Sequence, residues 1–128
     1  MKKIIHTPKA PAPIGPYSQA VQVGDFLYIS GQIPIDPATG ELVAGSIEAE
    51  AQQVMKNLEA ILAAAGMTFF QVVKTSIFLQ NMDDFAAVNA VYGSFFSGEY
   101  PARETVAVAG LPKGVRVEIS VIAVQNEG

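Results

Sequence analysis

The chain has 128 residues, 50% of them hydrophobic and 16% charged, and this length is typical of a single domain, here 1–128. So low a charged fraction, against roughly 25% on average, excludes a disordered chain and favours a homo-oligomer that covers apolar surface. The net charge of −4 argues against a nucleic-acid partner, which would require a basic patch. The absence of cysteine excludes disulfide scaffolds, cysteine-based metal sites and cysteine nucleophiles.

The chain carries no sign of a targeting or membrane segment. Residues 1–6 have a basic start, but no apolar stretch follows it, so we predict no signal peptide. The uncharged runs fall short of the ~18 apolar residues that a membrane-spanning helix needs. We therefore expect a soluble, cytoplasmic protein without membrane contact.

The first part of the chain predicts three strands before the first helix, two of which can be located. Residues 7–16 contain four prolines and are expected to form an ordered loop or a loose arm. Strands are predicted at Ala20–Val23 and Phe26–Ile29, joined by a two-residue hairpin turn at 24–25. Residues 36–40 are predicted to form a surface turn.

Two amphipathic helices are predicted next. Ser46 is expected to cap the first, whose apolar residues recur at three- and four-residue intervals over 47–65 until Gly66 ends it. Asp83 or Asp84 is expected to cap the second, whose apolar stripe runs over 85–96.

Three further strands complete the predicted fold: Val72–Leu79, Thr105–Ala109 and Val115–Val124. The order β-β-β-α-β-α-β-β predicts an α+β fold in which both helices cover one face of the sheet. The other face also carries apolar residues, so we expect it to meet another subunit.

Several common sites are absent from the sequence. His6 is the sole histidine and is expected on the surface or in an arm, which leaves no basis for a Ser–His–Asp triad or a zinc cluster. No glycine-rich phosphate-binding motif is present. The adjacent Asp83 and Asp84 are better explained by helix capping than by catalysis.

Two charged residues are the first candidates for chemistry. Arg103 lies where a loop enters a strand, and its planar guanidinium can hold a carboxylate through two parallel hydrogen bonds. The alternative is an ion pair with a nearby glutamate. Glu118 lies within the most apolar strand, where it could hold or activate water. The alternative is a solvent-facing side chain beside Arg116 and Ser120.

Two further residues are weaker candidates. Tyr17 follows a Gly-Pro turn at the start of a strand, where its phenol could contact a small ligand or pack against the core. Asn89 interrupts the apolar face of the second helix and could point at a partner.

These features occur together in one family, and the chain resembles the RidA (YjgF-type) family of small enamine/imine deaminases. Five stretches carry the resemblance, in order and across nearly the whole chain: 14–20 (IGPYSQA), 28–34 (YISGQIP), 83–89 (beginning DDF), 100–103 (YPAR) and 111–119 (LPKGVRVEI).

The resemblance implies a chorismate-mutase-like fold and a homotrimer, with a six-stranded, mostly antiparallel sheet that faces a central barrel and pockets between subunits. It implies hydrolysis of reactive 2-imino acids and enamines, released by serine and threonine dehydratases, to 2-keto acids and ammonia. This activity would protect pyridoxal-phosphate enzymes and needs no cofactor and no metal.

The resemblance also implies roles for individual residues. Arg103 matches the arginine that grips the substrate carboxylate, and Glu118 matches the glutamate that positions the attacking water. The remaining substrate-binding positions are Tyr17, Ser30, Gly31, Asn89 and Thr105. Thr105 stands where many members have cysteine, and its backbone N–H could still serve the ligand.

Two departures from the family pattern bear on the substrate. Glu104 stands where serine is commonest, and it could compete for Arg103 unless strand alternation turns it to the other face. The loop 97–99 is a few residues short, which could reshape the rim of the pocket.

Three other functions stay open at this point. The same fold could be a non-catalytic module that binds or senses a small carboxylate. It could act on RNA, against which the acidic balance argues, or hold unfolded chains.

Overall fold

A computed structural model describes residues 1–125. Its six strands form one sheet in the order β1-β2-β3-β6-β4-β5. The strands are β1 Lys2–Ile5, β2 Ala20–Val23, β3 Phe26–Gln32, β4 Val72–Leu79, β5 Ala102–Ala107 and β6 Val117–Val124. The helices are α1 Ile47–Ala64 and α2 Phe85–Gly93. The predicted α+β order is confirmed, and the third early strand is β1.

The sheet is antiparallel except for one pair, β4 and β5, which run parallel. Parallel strands need a crossover, and α2 supplies it between β4 and β5. This crossover places α2 above the edge strand that carries Arg103.

Both helices cover one face of the sheet, as predicted. The core between the helices and the sheet contains inward-facing apolar side chains of β3, β4 and β6 and the apolar face of α1. Its almost fully buried members include Leu27, Leu58, Ile61, Leu79 and Ile119. Successive strand residues point to opposite faces, so the alternate positions lie on the uncovered face. Large apolar side chains there remain exposed, including Phe26, Tyr28 and Val106.

The capping predictions are confirmed for α1 and corrected for α2. The Ser46 hydroxyl accepts a hydrogen bond from the Ala49 N–H, and Gly66 has the positive φ expected beyond a helix end. Before α2, the Asn81 side chain accepts a hydrogen bond from the Asp83 N–H and starts a short 3-10 helix, Met82–Asp84. Asp84 occupies the capping position of α2 without a side-chain capping bond.

Three element boundaries differ from the prediction. Strand β5 spans Ala102–Ala107 rather than Thr105–Ala109, because its ladder with β4 begins directly after Pro101. Strand β6 begins at Val117, two residues late, because Pro112–Gly114 form a 3-10 turn. Helix α2 ends at Gly93, although the following Phe95 and Phe96 still pack against the core.

Candidate functional site

Arg103 is the centre of one candidate half-site, on the helix-covered side of edge strand β5. Its Nη1 donates a hydrogen bond to Oδ1 of Asn89 at 2.6 Å. Its guanidinium carbon lies 5.7 Å from the ring centroid of Phe85 and 5.1 Å from that of Tyr92. Arg103 is thus held by three side chains of α2, and over residues 1–125 the structure shows no ion pair between it and a glutamate.

The half-site opens into a cleft of about 450 Å³ between α2 and the segment that leads into β5. Arg103 is its charged residue, and aromatic, amide and small side chains form the rest: Asn89, Ala90, Tyr92, Gly93, Tyr100 and Pro101. A planar guanidinium in such a cleft can bind a small carboxylate. We name this the arginine cleft.

Tyr92 links the arginine cleft to the core. Its hydroxyl donates to Oγ1 of the buried Thr75 at 3.0 Å. Burial raises the pKa of Tyr92, against smaller opposing effects of the hydrogen bond with Thr75 and the charge of Arg103. The phenol is therefore a neutral donor at physiological pH.

Glu118 is the centre of a second half-site, on the uncovered face of the sheet. A pocket of about 320 Å³ is lined by Ile14, Tyr17, Ser30, Gly31, Ile33, Pro112 and Glu118. The Glu118 side chain is half-buried, and burial raises its pKa above that of an exposed glutamate. This shift favours proton uptake by the carboxylate, as acid–base chemistry requires. We name this the glutamate pocket.

Gly31 makes room for Glu118. A Cβ atom added at position 31 would lie 2.8 Å from Cδ and 3.0 Å from Cγ of Glu118, and closer still to Oε2. The register between β3 and β6 shifts between Ile29 and Gln32, so Gly31 lies in an irregular part of the strand. The Glu118 carboxylate therefore lies directly over the backbone of β3, where a side chain at 31 would collide with it.

The side chains of Ser30 and Gln19 order the N-terminal segment beside the glutamate pocket. The Ser30 hydroxyl donates to the Ser18 carbonyl at 2.6 Å, which ties β3 to the segment that carries Tyr17. The Gln19 side chain accepts from the Thr7 N–H and donates to three carbonyls of the N-terminal segment, those of Thr7, Ala10 and Pro11. The proline-rich segment is consequently an ordered loop.

The structure brings the predicted site residues together in two groups and not in one. Tyr17, Ser30, Gly31 and Glu118 form the glutamate pocket, whereas Arg103 and Asn89 form the arginine cleft. The two groups lie on opposite faces of the same sheet. Thr105 lines neither cavity, and among the described residues its buried Oγ1 has no hydrogen-bond partner.

Glu104 points away from Arg103, as strand alternation predicts. Its carboxylate accepts a hydrogen bond from Ser76 and forms an ion pair with Lys74 at 3.1 Å. The hydrogen bond with Ser76 lowers the pKa of Glu104 most, followed by the interaction with Lys74. Glu104 therefore does not compete with a ligand for the guanidinium in the same chain.

Arg116 lies outside both cavities. Its Nε and backbone N–H donate to the buried Glu50 carboxylate at 2.6 and 3.1 Å, and its Nη2 donates to the Gly45 carbonyl. Arg116 therefore pairs with Glu50 rather than standing beside Glu118, while Glu118 and Ser120 share the uncovered face of β6. Glu50 is not among the predicted site residues, and no local sequence signal identifies its partner.

The aromatic support of Arg103 was also not identified, because Phe85 and Tyr92 were assigned to the apolar stripe of the second helix. Their spacing relative to Asn89, at positions i, i+4 and i+7, places all three on one helix face and was the available signal. His6 is exposed, in accord with its expected place on the surface.

Neither a metal centre nor a membrane span is found over residues 1–125. No group of three or more histidine, aspartate or glutamate side chains in this range is arranged to hold a metal ion. None of the helices in the same range combines the length and the apolar character needed to cross a bilayer.

Comparison with known proteins gives consistent matches over nearly the full length. Residues 7–125 match the family model described as Endoribonuclease L-PSP. The mouse protein named 2-iminobutanoate/2-iminopropanoate deaminase is 55% identical over 126 residues, which cover 98% of this chain and 93% of the mouse protein.

Solved structures agree with this match. A crystal structure from Thermotoga maritima has a TM-score of 0.96 and 53% identity, and covers 98% of this chain and 99% of that one. The Escherichia coli protein TdcF with bound serine has a TM-score of 0.93 and 43% identity, with 97% and 99% coverage.

Proposed function

The chain belongs to the Endoribonuclease L-PSP (RidA/YjgF) family, and we propose that it is a 2-imino acid deaminase. Its substrates are 2-iminobutanoate, 2-iminopropanoate and their enamine tautomers, and its products are 2-keto acids and ammonia. The observation that carries the proposal is the Arg103 guanidinium, which lines a cleft of about 450 Å³ and is oriented by Asn89. The activity named for the mouse relative supports it.

Arg103 and Glu118 have complementary roles in the proposed reaction. Arg103 binds the substrate carboxylate and fixes the imine carbon. Glu118 accepts a proton from a water molecule as the water oxygen bonds to that carbon, and the proton then passes to the nitrogen. In the resulting carbinolamine, Glu118 transfers the hydroxyl proton to the nitrogen, the C–N bond breaks to release ammonia, and the C–O bond becomes the keto group. An imine carbon is already electrophilic, so positioning supplies most of the rate gain.

The other predicted residues complete the pocket. Tyr17, Ser30 and Gly31 surround the water and the reacting carbon beside Glu118. Asn89 orients Arg103, and the Thr105 backbone N–H donates a hydrogen bond to the substrate carboxylate. The reaction as written uses no cofactor and no metal.

The complete site forms between two copies of the chain. Since Arg103 and Glu118 lie on opposite faces of one sheet, a single copy does not offer both to one small substrate. We propose a homotrimer of chorismate-mutase-like subunits in which the uncovered faces line a central barrel and the helices lie outside. Exposed apolar residues on that face support this arrangement, among them Phe26, Tyr28 and Val106.

The proposed cellular role follows from the substrate class. Imino acids released by serine and threonine dehydratases in the cytoplasm would be removed before they attack pyridoxal-phosphate enzymes. The net charge of −4 argues against RNA as the partner.

A competition assay tests the proposed activity. A dehydratase generates 2-iminopropanoate or 2-iminobutanoate in place, and semicarbazide competes with the protein for the imine. The unaltered chain is expected to suppress semicarbazone formation, whereas Arg103→Ala and Arg103→Lys are not. Arg116→Lys is the matched control, because the second arginine lies outside both cavities. Suppression that survives Arg103→Ala would contradict the assigned role of Arg103.

The second candidate function is non-catalytic binding of a small carboxylate. The observation that favours it is the serine bound to the structurally similar TdcF protein. Binding of 2-oxobutanoate by the unaltered chain without any suppression of semicarbazone formation would support this candidate over the deaminase.

A further inference from the structure

Two aromatic residues that have no role in the proposed function contact the Arg103 guanidinium. Phe85 and Tyr92 come from the first and third turns of α2, and their ring centroids lie 5.7 and 5.1 Å from the guanidinium carbon. Both distances fall within the range of favourable cation–π contact, which extends to about 6 Å. We propose that Phe85 and Tyr92 are positioning residues that fix the Arg103 guanidinium for carboxylate binding. This inference rests on the proposed function.

The three contacts of Arg103 have different consequences. Asn89 accepts a hydrogen bond from Nη1 and so occupies one of the donors. The two aromatic rings offer π faces, which attract the cation without taking up a donor. The rings therefore hold the guanidinium and leave its other N–H groups for a carboxylate.

Tyr92 is itself fixed relative to the strand that pairs with Arg103. Its hydroxyl donates to Thr75 Oγ1 at 3.0 Å, and Thr75 is fully buried. Thr75 is also the residue of β4 that stands opposite Arg103 in the parallel ladder. The anchor of the ring and the backbone of Arg103 thus belong to neighbouring positions of the same sheet.

Prior ordering of Arg103 matters because it lies on an edge strand and is only half-buried. An unrestrained arginine loses side-chain freedom when it binds a ligand, and this loss weakens binding. Because the rings already hold the guanidinium in the folded protein, most of this side-chain entropy is lost on folding and not on ligand binding. Removing one ring should therefore raise KM and leave kcat nearly unchanged, because the substrate and the transition state carry the same carboxylate.

The test compares four variants: Phe85→Leu, Phe85→Tyr, Tyr92→Leu and Tyr92→Phe. The leucine variants are expected to raise KM for 2-iminobutanoate, and the inhibition constant of 2-oxobutanoate, by about fivefold. The Phe85→Tyr variant keeps an aromatic ring and its setting and is expected to stay within about twofold of the unaltered chain. The Tyr92→Phe variant keeps the ring but loses its hydrogen bond with Thr75, so its KM is expected to lie between those of the unaltered chain and Tyr92→Leu. Inhibition by the neutral 2-oxobutanamide should not change in any variant.

The outcomes separate this inference from the proposed function. An unchanged KM and inhibition constant in both leucine variants would overturn the inference, as would an equal loss of 2-oxobutanamide inhibition. Because Tyr92 is buried and Phe85 is partly exposed, Phe85→Leu decides the matter if Tyr92→Leu fails to fold. If the unaltered chain hydrolyses no imine, the proposed function fails, and direct binding of 2-oxobutanoate to the same variants still tests the inference.

Discussion

Replacing Gly31 with alanine tests how Glu118 is placed. The φ angle of Gly31 lies outside the positive region, so alanine is compatible with the backbone. The added methyl group would lie 2.8 Å from Cδ of Glu118, whereas ordinary contacts begin at 3.4 Å. The carboxyl group must therefore move by at least about 0.6 Å. Since the Glu118 side chain is flexible, the cost in stability should stay below about 1 kcal/mol.

The expected effect is on the rate. A displacement approaching 1 Å in a positioning group can cost about 100-fold, so we expect kcat to fall by about 10- to 100-fold. KM should change little, because Arg103 holds the carboxylate in another cavity. Steady-state kinetics on imines generated in place measure both constants. Gly110→Ala is the matched control, since a Cβ atom there meets nothing within 4 Å.

A double variant determines whether Gly31 acts through Glu118. In the Glu118→Ala background, the Gly31→Ala exchange should have no further effect on the residual kcat, because the colliding carboxylate is gone. Full activity of Gly31→Ala would refute the placement of Glu118 over β3 in the active protein. A loss of the same size in both backgrounds would show that Gly31 acts on the substrate independently.

Three further predictions concern other charged groups. Because burial raises the pKa of Glu118, kcat/KM should fall on the acidic side at a higher pH than it would for an exposed glutamate. Glu118→Gln should remove this step from the pH profile, and an unchanged profile would exclude Glu118 as the proton acceptor. Glu50→Ala removes the carboxylate that pairs with Arg116 and should lower the free energy of unfolding by about 2 kcal/mol, as measured by urea denaturation. A change below about 0.5 kcal/mol would show that the pair does not stabilise the fold. Glu104→Ser should leave KM within about twofold, because Glu104 faces away from Arg103; a large decrease in KM would indicate competition with the substrate.

Local sequence signals predicted those parts of the fold that depend on nearby residues. The first helix was located because a capping serine, a regular apolar stripe and a terminal glycine agree at Ser46 and Gly66. The boundaries of β5 were wrong because they depend on the parallel ladder with β4, more than twenty residues earlier in the chain. Asn81 was missed as a cap because the adjacent aspartates offered an equally good local signal.

The sequence identified individual candidate residues of the site but not their positions relative to one another. Alternation along β5 correctly separated Glu104 from Arg103, because two neighbouring strand residues always face opposite sides. The relation of Arg103 to Glu118 requires the strand order β6-β4-β5 and the side on which α2 packs. The Arg116–Glu50 pair likewise joins residues that are 66 positions apart.

Mixing two strongly impaired variants tests the central proposal most directly. Arg103→Ala and Glu118→Ala chains are unfolded together, refolded as mixed oligomers and assayed for imine hydrolysis beside each variant alone. If each site combines Arg103 of one copy with Glu118 of another, random mixing restores about one site in four, because some interfaces then contain both intact residues. If the mixed oligomers are no more active than the separate variants, the site is not shared between copies and the proposed composite site is wrong.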